Sequence, residues 1–307
     1  MNREEYLTKY LENYLLRKGL NLSQENYSLL LREFLRYAHD PTQEGTLPIL
    51  TQDGSFTLIN KFYKEPYHSH TAGAVQESLH KFIYPSKILE KAQEKEVIRI
   101  LDVGFGLGYN VAIALKHIWE VNPKVKVEIL SLERELRKDI PLLPKPYTEI
   151  HRFILSVIPE YEDERLKLKI FLGDARREIR KIENFKADAV FHDAFSPYKN
   201  PELWTYDFLN LIEEVIDPYG YWVSYTSALC VRKALLLLGF QVGSTKELGR
   251  KRKGTVASLK APVPPLDEEE VRKLHLSPFS IPMRDESLDK EPLEILLDYL
   301  VEVYKLK

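Results

Sequence analysis

Three glycines, Gly104, Gly106 and Gly108, alternate with other residues directly after the pair Asp102-Val103. Glycine lacks a Cβ, so such a segment can turn tightly and bring its backbone against a bound ligand. The apolar run 98–102 reads as a strand, and residues 109–115, with Asn110 in the first turn, read as the start of a helix. A turn of this kind lies at the carboxyl end of a strand, where open parallel sheets bind ligands. The spacing excludes two familiar patterns. A dinucleotide turn counted from Gly104 needs glycine where Tyr109 stands, and a P-loop needs a Gly-Lys-Ser/Thr ending that is absent. Glu133 ends the next apolar run; an acid there can accept from both ribose hydroxyls of a nucleoside, or pair with Arg134 or Arg137. Asp174, followed by Ala175, ends the third run; it can accept from an adenine amino group, cap the helix 175–182, or do both.

Asp193 ends the fourth run. In an in-line group transfer the enzyme's main task is alignment of nucleophile and donor. An amine nucleophile must also lose its proton, and a carboxylate can orient it and accept that proton. Asp193 suits this work; capping the turn after it is the alternative. His192 precedes it on the strand, points to the other face and is expected to be packed.

The elements that position these groups follow from periodicity. Runs 97–103, 127–132, 168–172, 187–191 and 221–225 read as buried strands, with helical segments such as 111–120 and 204–216 between them. Strands alternating with helices predict an α/β, doubly wound, mostly parallel sheet. Runs 240–244 and 255–260 can close it as a final hairpin. Residues 3–39 read as a helical pair, and Asp53-Gly54 between apolar flanks predicts a hairpin over 47–62. The expected organisation is helices, hairpin and pocket lid over 1–90, the ligand-binding domain over 91–261, and a helical tail over 262–307.

Composition narrows the classes. With 307 residues, 44% hydrophobic and 29% charged, the chain is globular, and a net charge of −2 advertises no broad basic surface. One cysteine, Cys230, can form no internal disulfide, which fits a reducing cytoplasm. No apolar run approaches the ~20 residues of a membrane span, and the N-terminal residues lack a signal peptide's apolar stretch. No membrane association is expected.

The acid-x-G-x-G-x-G turn resembles motif I of class I methyltransferases, which implies a Rossmann-like sheet and S-adenosylmethionine as methyl donor. A longer stretch is more specific. The run Asp193-Ala194-Phe195-Ser196-Pro197-Tyr198-Lys199-Asn200-Pro201-Glu202-Leu203-Trp204 resembles the D-G-F-A-P-x-K-N-P-x-x-W segment of MnmC-type tRNA methyltransferases. Thr226-Ser227-Ala228 with Val231-Arg232, and Gly249-Arg250-Lys251-Arg252, are similar to two further segments of that family. The resemblance covers residues 52–260; Ala194 stands for a glycine and Ser196 for an alanine.

It implies methylation of the primary amine of 5-aminomethyl-2-thiouridine at the tRNA wobble position, with Asp193 at the reaction centre. It places Tyr67, Ser69 and Glu77 in a lid over the cofactor. Gly104, Gly106, Gly108, Asn110, Glu133, Asp174 and Ala175 complete that pocket. The family's bifunctional members carry a flavin-dependent oxidase domain behind the methyltransferase. No second glycine-rich strand–helix unit follows here, so a methyltransferase without FAD is expected, its aminomethyl substrate supplied by upstream tRNA-modifying enzymes. Arg250, Lys251, Arg252 and Lys253 are expected to contact phosphates near the anticodon, with Arg176, Arg177, Arg180 and Lys181 a second basic face. Phe195 or Tyr198 can stack on the extruded base, and Trp204 is expected in the core. His68, His70 and His80 with Glu77 match no defined zinc spacing, so no metal is expected. Two competing readings are an aminopropyltransferase of the spermidine synthase kind and a catalytically silent RNA-binding relative.

Overall fold

The computed structural model of the protein describes residues 1–248 and 253–306. Helix α1 (Arg3–Lys18) starts at a capping box between Asn2 and Glu5 and ends at Gly19, whose φ of 66° allows the reversal into α2 (Gln24–Tyr37). The expected hairpin is β1 (Thr46–Leu50) and β2 (Phe56–Asn60), joined in a small sheet by β3 (Glu65–Pro66). Asp53 in its turn also has a distant task. Its Oδ2 accepts from the backbone of Val75 and Gln76 at 3.0 and 3.1 Å. That anchors α3 (Ala74–Glu77), which continues as a π-helical turn over Ser78–Ile83. Helix α4 (Ile88–Glu94) leads into the main sheet.

There the chain alternates as expected: β4 (Val97–Val103), α5 (Tyr109–Val121), β5 (Lys126–Glu133), α6 (Thr148–Val157), β6 (Glu160–Glu162), β7 (Leu166–Leu172), α7 (Ala175–Glu178), β8 (Ala187–His192), α8 (Tyr206–Val215), β9 (Ile216–Ser224), α9 (Leu229–Leu237), β10 (Gln241–Ser244) and β11 (Thr255–Ser258). Among the described residues the order is β10-β11-β9-β8-β4-β5-β7-β6. β4, β5, β7, β8 and β9 run parallel, and β10 and β11 close one edge as the expected antiparallel hairpin. The short edge strand β6 was not anticipated; it pairs antiparallel with β7. All six residues of β8 are buried, as a central strand covered on both faces must be. From β4 the chain steps outward through β5 to β7, then returns to β8 on β4's other side. The strand order therefore reverses between β4 and β8, which opens a crevice at their carboxyl ends.

The tail supplies α10 (Glu268–Leu276) and α11 (Pro292–Val303). Leu296 and Leu300 of α11 share one buried cluster with Leu7, Leu11 and Phe34 of the first helices and with Val103 and Val190 of the sheet. The Tyr14 hydroxyl donates to Asp298 at 2.8 Å, so the two ends of the described chain meet. No helix among the described residues is long and apolar enough to cross a membrane.

Candidate active site

The crevice is built first from backbone. Gly104, Gly106 and Gly108 have φ of 89°, 56° and 75°, a region L-side chains rarely enter. A Cβ on Gly104 would lie 2.8 Å from the carbonyl oxygen of Asp193, and one on Gly106 would lie 3.1 Å from the Tyr67 ring. The amide of Asp193 donates to Val103 at 2.8 Å and that of Gly104 to Leu132 at 2.9 Å, which ties both loops to the switch point. Glu133, at the tip of β5, accepts from Gly106 N and Arg134 N, both at 2.8 Å. The ion pair considered for it does not form; Arg137 pairs with Glu135 at 3.2 Å instead. Burial raises the Glu133 carboxyl above its ordinary range, against the pull of these amides.

A cavity of about 740 Å³ stands before this cradle, within the ~300–1,000 Å³ of small-molecule sites. Gly104, Gly106, Glu133, Asp174, Ala175 and Asp193 line it from the sheet, and Tyr67, Ser69 and Glu77 from the lid. Gly108 and Asn110 sit behind the wall, Gly108 at the start of α5 under the Phe105 ring. Bare backbone at positive φ, an acid at the next strand tip and this volume fit an adenosyl cofactor.

Asp174 does cap α7, accepting from Arg176 N at 3.0 Å, but it also binds the Arg176 guanidinium at 2.7 Å. These bonds outweigh burial and lower its carboxyl. The expected basic face over 176–181 is thus corrected at Arg176, while Arg177, Arg180 and Lys181 stay exposed. Arg176 is buried, and its other arm donates to Asp285 at 2.8 Å and to the Lys290 carbonyl at 2.9 Å. Two acids and a carbonyl hold it inward.

At the other end, Asp193 Oδ2 accepts from Asn110 Nδ2 at 2.7 Å, and Asn110 Oδ1 accepts from the Ser78 hydroxyl at 2.6 Å. The lid brings His68 beside them, Nδ1 lying 3.6 Å from Glu77 Oε2 and 4.0 Å from Asp193 Oδ2. Glu77 Oε2 also accepts from Ser69 N at 2.7 Å. Burial pushes the Asp193 carboxyl up to about 7, with Glu77 adding and His68 and Asn110 opposing. Sequence reasoning weighed His68 only as a metal ligand and missed Ser78. No periodicity marks either residue, because their partners lie far along the chain. Among the described residues no group of three or more His, Cys, Asp or Glu side chains is arranged to hold a metal.

The loop after Asp193 divides its aromatics between wall and core. Phe195 lines the cavity and stacks on Tyr63 with centroids 4.2 Å apart, edge-on to Tyr67 at 5.0 Å. Tyr198 is a correction: it packs between Tyr37 and Tyr299, at 4.7 and 6.0 Å, and does not line the cavity. Trp204 and His192 are fully buried and stacked at 4.2 Å, as expected for packed residues. Ser196 N donates to Glu65 at 2.9 Å, which pins the loop to β3. Glu65 and Glu202 also line the cavity and carried no sequence signal; burial pushes Glu202 up to about 7. Of the basic loop, Lys253 pairs with Asp267 at 2.6 Å and Glu270 at 3.6 Å. Arg250, Lys251 and Arg252 lie outside the described residues. Arg232 fastens the strands that flank this loop, with guanidinium bonds to Thr255, Ser244 and Glu270 between 2.9 and 3.0 Å.

A doubly wound sheet closed by an antiparallel hairpin, with a glycine cradle where its order reverses, is the architecture of class I S-adenosylmethionine-dependent methyltransferases. Residues 141–260 match a family model described as S-adenosyl-L-methionine-dependent methyltransferase. The crystal structure of MnmC2 from Aquifex aeolicus superposes with a TM-score of 0.97 at 69% identity, over 99% of each chain. The chain therefore belongs to the MnmC2 family. An uncharacterized protein from Methanocaldococcus jannaschii is 34% identical over 275 residues, 86% of this chain and 74% of that one. The tRNA 5-methylaminomethyl-2-thiouridine biosynthesis bifunctional protein MnmC of Leptospira interrogans is 26% identical over 68% of this chain and 35% of its own length. The chain thus spans about a third of that bifunctional relative. These matches do not favour the aminopropyltransferase or the silent-relative reading.

Proposed function

We propose that the protein methylates the primary amine of 5-aminomethyluridine, with or without the 2-thio group, at the wobble position of tRNA, giving the 5-methylaminomethyl nucleoside. The observation that carries this reading is Asp193: a buried carboxyl raised to about 7, opening the segment that resembles the MnmC-type loop and lining the cavity beside the cradle. The named activity of the bifunctional relatives supports it. S-adenosylmethionine, when bound, supplies an electrophilic sulfonium methyl group. Gly104 and Gly106 would hold it through backbone, Glu133 through the ribose hydroxyls, and Asp174 with Ala175 at the adenine edge; Tyr67, Ser69 and Glu77 would cover it. Asn110 occupies Oδ2 of Asp193, which leaves Oδ1 to meet the substrate ammonium and take its proton. The free amine can then attack in line. Phe195 and Tyr63 offer the face on which the extruded base stacks.

The proposed setting is the cytoplasm, with tRNA as partner and upstream tRNA-modifying enzymes supplying the aminomethyl group. The test is incubation with labelled S-adenosylmethionine and tRNA carrying 5-aminomethyluridine, followed by nucleoside analysis. Absence of labelled 5-methylaminomethyl nucleoside would sink the reading.

Two binding predictions accompany it. Glu133→Ala is expected to weaken S-adenosylmethionine binding about a hundredfold in calorimetry, since two bonds to an ionised acceptor contribute ~1.5 kcal/mol each. An affinity within about threefold of wild type would remove Glu133 from the ribose site. Neutralising Arg250, Lys251 and Arg252 is expected to weaken tRNA binding and to make its salt dependence shallower, by ~0.7–0.9 for each phosphate that the loop no longer neutralises. Lys253, already paired with Asp267, contributes less. An unchanged slope would take the loop off the RNA surface.

A further inference from the structure

His68 is 5% exposed, and its Nδ1 is buried with no hydrogen-bond partner. Its ring lies flat against Tyr109, centroids 5.0 Å apart and planes within 10°, which fixes where Nδ1 points. It points between two carboxylates, Glu77 Oε2 at 3.6 Å and Asp193 Oδ2 at 4.0 Å. A bare Nδ1 lone pair there would face two negative oxygens. A neutral ring with its proton on Nδ1 would remove that repulsion but place no charge between the two acids; Lys81, on the turn after α3, acts on Glu77. An imidazolium removes the repulsion and places a charge between them.

We infer that His68 rests as a cation between Glu77 and Asp193, a positioning residue that keeps Asp193 ionised and ready to take the substrate's proton. The inference rests on the reading of Asp193 as the base. The acids Glu77 on α3, Asp193 after β8 and Asp53 in the hairpin turn favour the charge on His68 and outweigh its burial; His151 on α6 opposes it from beyond Tyr109. Around Asp193, besides His68 and Glu77, stand Asn110 on α5, Asp102 at the end of β4 and Tyr225 after β9. Burial raises the Asp102 carboxyl, and Asp193 raises it further. Among the described residues, His68 is the cationic group that acts most on Asp193. Without it, Asp193 would hold its proton to higher pH.

The test has two arms. Histidine-selective NMR titration of the full-length protein, with neither cofactor nor tRNA, is expected to show His68 charged at pH 7, with its midpoint above the ordinary histidine range. Its signal is identified by loss in His68→Gln. Should that variant not fold, Asp193→Asn identifies it, because removing one anion is expected to lower the His68 midpoint by about a unit and leave the other signals in place. A neutral His68 at pH 7 overturns the inference. In the second arm, His68→Gln is expected to move the acid limb of the kcat/KM profile upward by about a unit. The rate at pH 7 falls about fivefold and recovers by pH 9, with S-adenosylmethionine affinity within about threefold of wild type. A lower rate with an unmoved acid limb would mean that His68 only packs, and would also overturn it. The titration needs no tRNA, so failure of the wild type to methylate the tRNA amine would count against the proposed function alone.

Discussion

Asp193→Ala is expected to lower the methyl-transfer rate by about 10²–10⁴-fold, the usual worth of a positioned proton acceptor, while S-adenosylmethionine affinity stays within about threefold. The split follows from which part of Asp193 does what. The cradle packs on its main chain, with the carbonyl oxygen under Gly104 and the amide bonded to Val103, and alanine keeps both. The carboxylate alone is lost. Asp193→Asn, which preserves shape and can still meet Asn110, is expected to be nearly as slow, because an amide cannot take a proton from an ammonium. In the wild type only the ionised carboxyl serves as base. With its midpoint raised to about 7, kcat/KM should fall as pH drops through 7, approaching tenfold per unit well below it. Single-turnover rates across pH, with calorimetry for the cofactor, check both statements. Equal losses of rate and affinity in Asp193→Ala would make Asp193 a structural residue.

Arg176→Ala carries the largest expected effect on stability. It leaves Asp285, which is fully buried, and Asp174, which is about a third exposed, without the guanidinium that bridges them. Breaking a buried pair from one side costs about 3–5 kcal/mol, and the lower end applies because Asp174 keeps some solvent and Asp285 keeps its bond from Lys290 N. A loss of about 3 kcal/mol corresponds to a fall of ~5 °C in Tm for a chain of this size. The bridge also joins the tip of β7 to the segment before α11, so cofactor affinity should fall with stability. Thermal unfolding with and without S-adenosylmethionine measures both. A Tm within a degree of wild type would show that the tail holds its place without this bridge.

Arg176 and Tyr198 mark where local reading stops. Three further basic residues beside Arg176 made a solvated face the natural expectation, since spacing says nothing about acids 109 residues away that turn one side chain inward. Tyr198 shares a loop with Phe195, and neither composition nor period distinguishes a ring that faces the cavity from one that packs on Tyr37 and Tyr299. The edge strand β6 escaped for a related reason: three residues, Glu160–Glu162, are too few to show alternation.

What the amino-acid sequence determined alone is whatever depends on a few consecutive residues. The cradle at Gly104, Gly106 and Gly108 is of this kind, because positive φ is a local demand that glycine meets. So are the strand–helix alternation, the acids placed at strand ends, and the opposite facing of His192 and Asp193 at the end of β8. Only the tertiary structure decided how Asp193 is tuned. Asn110 reaches it across 83 positions, and His68 and Glu77 arrive on a lid anchored by Asp53, a turn residue whose capping bonds span 22 and 23 positions. A carboxyl's charge depends on every group within a few ångströms and on the water excluded around it. Asn110, His68 and Glu77 come from separate segments that only folding brings together.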